Sequence, residues 1–335
     1  MSARVPIATL CLVGFPGANR ALATLARTAG GTRHHALAST HAASPEVRFL
    51  VDHLRAAPPR VLLLGGWADV YETFVDAMAP LGTACGVYWT SSGGQTDMSG
   101  ETAKLARVLA HPALRHRLFA AGDLARALGR ERDGFAHLPV TIEPPRGVRP
   151  GARPARRTPV VSFFFPVREV RRKNVLNGLV AVAGATPRPV LWLNGLGEAP
   201  GYPQLLDALG VRFRDLGWME RRRYESAVAR CDVGLQPSFA ETYDYVAADH
   251  LIRGVPVVAS RMVPVMEGLP AAVRRRMVAD AADSPAALRD RLDDLLAHPA
   301  ERRRLGALAE RHVRAANARA VRVAQRLLAR LMEEA

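Results

Sequence analysis

The chain alternates short apolar runs with glycine-bearing turns and amphipathic stretches. In the first half, Ile7 to Val13, Val61 to Leu64 and Ala84 to Trp89 are near-continuous apolar runs of strand length. The first ends at Gly14-Phe15-Pro16-Gly17 and the second at Gly65-Gly66, while the third passes into the polar stretch TSSGGQTD, residues 90 to 97. Asn19 to Ala29 and Tyr71 to Ala79 have helical composition, and Glu101 to Leu128 reads as helix in pieces, interrupted at Pro112. Strand, glycine turn and helix in alternation predict a parallel sheet covered by helices.

Residues 144 to 159, PPRGVRPGARPARRTP, hold five prolines and two glycines. Such a stretch supports neither a regular helix nor a central strand and reads as a linker. The alternation then restarts. Val160 to Phe165, Pro189 to Leu193, Val233 to Leu235 and Pro256 to Ala259 are predicted strands. Val175 to Ala183, Leu205 to Leu209, Tyr224 to Ala229 and Thr242 to Ile252 are predicted helices. Residues 284 to 297 form an amphipathic helix with Leu288, Leu292, Leu295 and Leu296 near one face, and Glu301 to Met332 is helical and Arg-rich. The expected layout is an α/β chain of two Rossmann-like lobes, residues 1–150 and 158–320, with a C-terminal helix, 321–335, packing back on the first.

Composition narrows the class. A hydrophobic fraction of 49% is that of an ordinary globular protein. No run of about 18 apolar residues marks a membrane span. The apolar N-terminus is read as a first buried strand rather than a signal peptide, because a glycine turn and a helix-like segment follow. Cys11, Cys85 and Cys231 are scattered, with neither a disulfide framework nor zinc-ligand spacing. A reducing cytoplasm fits them, and association with the inner face of a membrane is compatible with the charge. Lys and Arg number 46 against 31 Asp and Glu, a formal charge of +15 spread over both halves. That charge suits nucleotide sugars, anionic membrane surfaces or nucleic acid, or is an Arg-rich compositional bias; lysine occurs only at Lys104 and Lys173.

Three places carry candidate chemistry. Gly14 and Gly17 lie in a turn between a strand and a helix, where a backbone can approach a phosphate. The pattern is not a full GxGxxG, and such a turn is common without a ligand. The second is RxxRRKN, residues 168 to 174. Arg168, Arg171, Arg172 and Lys173 gather positive charge after a strand, as a diphosphate requires; a solvated basic loop is the plain alternative. The third is PSFAETYDYVAADHLIRGVPV, residues 237 to 257. It places Ser238 in a turn, Glu241 at a helix start and Asp249 two turns later on the same face. Glu241 there is either a ligand contact or a first-turn acid favoured by the helix dipole. On a continuous helix the two acids stand about 12 Å apart along the axis. That is wider than either glycosidase carboxylate pair, so paired hydrolysis is disfavoured. GxSxG, Walker GxxxxGK[ST] and HExxH motifs do not occur, nor does a dinucleotide fingerprint.

From residue 160 to about 320 the chain resembles the nucleotide-sugar-binding lobe of retaining glycosyltransferases of the GT-B fold. The resemblance rests on the basic Arg/Lys-Asn motif and on DVGLQPSFAETYDYVAADHLIRGVPVVAS, Asp232 to Ser260, which matches a strand, Pro-Ser, Glu-x7-Glu and Gly-x-Pro-Val-Val series. It implies that Arg168 or Arg172, Lys173 and Asn174 contact a donor diphosphate. It implies that Glu241 contacts the transferred sugar, Asp249 the ribose, and the backbone near Thr242 and Tyr243 the sugar or phosphates. Asp249 is shorter than the family's second acid. Many relatives also carry a histidine in the first lobe near the reacting carbon, where this chain runs Trp89-Thr90-Ser91-Ser92. The implied activity is transfer of a hexose from a UDP- or GDP-sugar to a hydroxyl acceptor with retention, without a permanently bound cofactor or a required metal. The acceptor is a glycan, an anionic lipid or polysaccharide, or a modified nucleic acid. The alternative is an inactive protein that senses a nucleotide sugar or scaffolds a complex.

Overall fold

The structure, a computed structural model, describes residues 7–29, 32–129, 134–145, 158–166, 169–195 and 199–335. Most of the proline-rich linker segment, residues 146–157, lies outside them. By contacts the chain separates into two compact units, Met1–Glu143 with Asn317–Ala335, and Pro144–Ala316.

The first unit is built on a parallel sheet of six strands: β1 (Ile7–Leu12), β2 (Thr32–Leu37), β3 (Val61–Gly65), β4 (Ala84–Trp89), β5 (Leu114–Phe119) and β6 (Phe135–His137). Their order across the sheet is β2-β1-β3-β4-β5-β6. β1, β3 and β4 are buried at every position, which is why they read as unbroken apolar runs. Trp67, Tyr71 and Phe74 fill the space behind them. The Tyr71 hydroxyl accepts from Leu12 N at 2.8 Å, so this large ring is buried with its polar end satisfied.

One expectation fails in this unit. Glu101 to Leu128 is not helix interrupted at Pro112. It is a helix Thr102–Ala110, the strand β5, and a helix Gly122–Gly129. The sequence LRHRLF looks too basic for an inner strand, but Arg117 spends its guanidinium on the carbonyls of Val108, His111 and Leu114, at 3.0, 2.9 and 2.9 Å. With that charge hydrogen-bonded locally, Leu114, His116 and Leu118 alternate inward as a strand requires. The last helix, Pro299–Glu334, contributes its residues from Asn317 onward to this unit. Asn317 lays its amide against the backbone of Ile142, accepting at 2.9 Å and donating at 2.8 Å.

The second unit carries another six-stranded parallel sheet: β7 (Val160–Phe163), β8 (Val190–Leu193), β9 (Phe213–Asp215), β10 (Val233–Gln236), β11 (Val257–Ser260) and β12 (Val278–Ala279). The order is β12-β11-β10-β7-β8-β9. Asp232 fixes the start of the two central strands: its carboxylate accepts from Val160 N at 2.9 Å and pairs with Arg302 at 2.7 Å. The helix Val175–Ala183 packs so closely on the sheet that a Cβ on Gly178 would sit 2.6 Å from Phe163 Cε1. The amphipathic helix Pro285–Ala297 buries Leu288, Leu292, Leu295 and Leu296 as its pattern predicts. No helix among the described residues is long and apolar enough to cross a membrane.

Candidate functional site

In the second unit the chain runs outward from β7 to β8 and β9, then returns to β10 on the other side of β7 and continues outward. The strand order therefore reverses between β7 and β10. At such a point the loops leaving the carboxyl ends of two adjacent strands diverge and open a crevice, the usual ligand position in an open α/β sheet. Arg172, Lys173 and Asn174 follow β7, and the segment Pro237 to Asp244 follows β10. The two loops are joined directly: Phe239 N donates to Arg172 O at 2.8 Å, and Asn174 Nδ2 donates to the carbonyls of Pro237 (3.1 Å) and Ala282.

The charges meet where the loops meet. Glu241 Oε1 lies 2.7 Å from both Lys173 Nζ and Arg172 Nη1. Lys173 Nζ also reaches Asp244 Oδ2 at 3.3 Å, and Arg172 pairs in addition with Glu169 and donates to Ala240 O at 2.8 Å. All but Glu169 are buried, with Arg172, Lys173, Glu241 and Asp244 at 7, 4, 8 and 4% exposure. Burial opposes the charge on Lys173, but Asp244 and then Glu241 more than offset it, so the ammonium's pKa stands above its ordinary value. Arg172 behaves alike: burial opposes its charge, and Glu241 and Glu169 outweigh it. Within this network Arg172 Nε and the buried Ser238 Oγ have no hydrogen-bond partner among the described residues. A site with paired cations, a carboxylate and two unused donors can hold a polyanion beside a hydroxylated group.

The helix after β10 does not begin at Thr242. It spans Tyr245–Leu251, and Glu241 stands ahead of it in the loop. Asp244 causes the delay. It adopts the left-handed region, φ 66°, and caps the helix by accepting from Ala247 N at 2.9 Å. The 12 Å axial spacing of Glu241 and Asp249 therefore does not apply. The two acids instead belong to different ion-pair sets. Asp249, fully buried, lies 3.4 Å from both Arg253 and Arg221. Thr242 and Tyr243, half-buried, follow Glu241 in the loop, the Tyr243 ring edge-on to Tyr245.

Of the sequence candidates, the fold brings Arg172, Lys173, Asn174, Ser238 and Glu241 together, while Asp249 pairs with Arg221 and Arg253. Arg168 lies outside the described residues. Gly14 and Gly17 are in the first unit, in the turn and first helical residues after β1. That turn is also at a reversal of strand order, between β1 and β3. Neither glycine has positive φ, and a Cβ on either would meet nothing within 4 Å, so protein packing does not demand glycine there. Sequence reasoning missed Asp244 and Glu169. An Asp directly before an apolar helical run is a helix-start signal, and it is the signal that finds Asp244.

Among known structures the chain is similar to sucrose-phosphate synthase from Thermosynechococcus elongatus, with a TM-score of 0.75 and 16% identity over 99% of this chain and 100% of that one. HepE of Anabaena, in complex with UDP and glucose, gives a TM-score of 0.69 and 14% identity over 98% and 100%. The UDP-forming α,α-trehalose-phosphate synthase of Burkholderia xenovorans gives 0.61 and 12% over 99% of each chain. No protein-family model matches the chain, and no curated protein does. The two helix-covered, six-stranded parallel sheets are those of the GT-B glycosyltransferase fold.

Proposed function

We propose that the protein is a glycosyltransferase that moves a hexose from a UDP- or GDP-sugar to a hydroxyl acceptor with retention of anomeric configuration. The observation that carries the reading is the convergence of Lys173 and Arg172 with Glu241 at the reversal point of the second sheet. Glycosyl transfer builds negative charge on the departing nucleoside diphosphate and positive charge on the sugar ring. A lysine and an arginine fixed after β7 suit the first, and a buried carboxylate beside them suits the second. Ser238 Oγ, buried and unpartnered among the described residues, is a further donor for phosphate or sugar. Asp249, in its own arginine-paired set, fits a separate contact to the ribose. The known complex of HepE, a protein of this fold, with UDP and glucose supports the donor class.

The test is to incubate purified protein with a panel of UDP- and GDP-sugars and follow release of nucleoside diphosphate. Release with one donor, lost in Lys173→Ala and Glu241→Ala, is the expected result. Turnover by either variant at the wild-type rate contradicts the assignment. The anomeric configuration of the first product, read by NMR before mutarotation, decides between retention and inversion.

A further inference from the structure

We infer that Asp244 holds donor affinity down, by occupying the lysine the donor diphosphate needs. The inference rests on the donor-site reading above. Lys173 Nζ stands between two carboxylates, Glu241 at 2.7 Å and Asp244 at 3.3 Å. Arg172 stands between Glu241 and Glu169. Among the described residues, two cations thus face three carboxylates. A diphosphate that approaches Lys173 meets a like charge already within ion-pair distance of the same ammonium.

The backbone does not require that charge. Asp244 performs two structural tasks: it takes the left-handed region at φ 66°, ψ 88°, and it caps the helix through Ala247 N. Asparagine performs both, being tolerated in the left-handed region and a good N-cap. Glycine adopts the conformation without steric cost. What aspartate alone adds is its negative charge, and that charge is directed at Lys173. The residue is 4% exposed, so solvent screens the interaction little. Glu241 remains on Lys173 when Asp244 is neutralised, so the ammonium keeps one anchor and gains capacity for an incoming phosphate.

The experiment is calorimetric titration of UDP and GDP into wild type, Asp244→Asn and Asp244→Gly, with thermal unfolding of each as the check on folding. Asp244→Asn is expected to bind the preferred nucleotide about tenfold tighter, equivalent to about 1.4 kcal/mol. In turnover the donor KM should fall without a rise in kcat, because the affinity gained is for the ground state. Asp244→Gly should tighten binding in the same direction, which separates charge from capping. Binding by wild type that is unchanged or weaker in both variants overturns the inference and leaves the donor site standing. No binding of either nucleotide by any of the three proteins overturns the donor-site reading, and this inference with it.

Discussion

Lys104 and Lys173 are the only lysines of the chain, and they stand in opposite surroundings. Lys104, in the first unit, has a side chain 40% exposed, a carboxylate of Glu101 at 3.7 Å and the Phe15 ring at 5.4 Å. Lys173, in the second, is 6% exposed at the side chain and lies between two carboxylates. The first is a solvated cation with a loose partner, worth little to stability. The second is a buried charge that persists only because the carboxylates offset its desolvation. A buried ion pair is weak evidence for stability, since apolar residues of similar volume often do as well. Its presence at the reversal point of the second sheet is better explained by what it can hold.

Removing Lys173 gives the largest expected effect. Lys173→Ala leaves Glu241 with one partner fewer and takes from Asp244 its cation partner among the described residues. The loss should be about 3–5 kcal/mol in chemical unfolding and at least about 100-fold in donor-dependent turnover. A variant of full stability and activity would break the contrast between the two lysines. Next comes Gly178→Ala, whose new methyl would press on the Phe163 ring at 2.6 Å. It is expected to cost about 1–3 kcal/mol and to displace the turn that carries Arg172 to Asn174, visible as weaker nucleotide binding.

His34 offers a smaller test in the first unit. It is linked to Thr9 Oγ1 at 2.9 Å and Asn19 Oδ1 at 2.7 Å. Burial first, then His35 and Arg27, lower its pKa from 6.5 to about 4. The unfolded chain therefore binds the proton more readily, and stability is lost as pH falls through that window. Since the ring is partly exposed, the loss should be only about 1 kcal/mol, a few degrees in Tm between pH 6.5 and 4. His34→Gln should flatten that slope, and an unchanged slope would remove His34 as its source. The smallest effect belongs to Lys104→Ala, which should stay within about 0.5 kcal/mol of wild type by chemical unfolding and leave nucleotide affinity unaltered.

The sheets were legible where a strand is buried on both faces. IATLCL, VLLLG and ACGVYW stand out because they are buried at every position, and a parallel strand covered on both faces reads as a near-continuous apolar run. TRHHAL and LRHRLF were not legible as strands. The first is an edge strand, and the second hides its arginine in carbonyl hydrogen bonds that no local pattern announces. The site divides in the same way. The basic motif and the Pro-Ser-Glu loop are local and stand out in the sequence. Their meeting joins Arg172 to Glu241 across 69 positions and Lys173 to Asp244 across 71, which only the β7–β10 pairing brings about. The helix start was misplaced because reading it at Thr242 makes Asp244 an interior residue, when its left-handed backbone makes it the cap.

A crystal structure of the protein soaked with its preferred nucleoside diphosphate tests the central claim most directly. The account predicts phosphate oxygens within hydrogen-bond distance of Lys173 Nζ or the Arg172 guanidinium, with Asp244 drawn away from the lysine. A nucleotide bound elsewhere, with Lys173 still held by both Glu241 and Asp244, would contradict it.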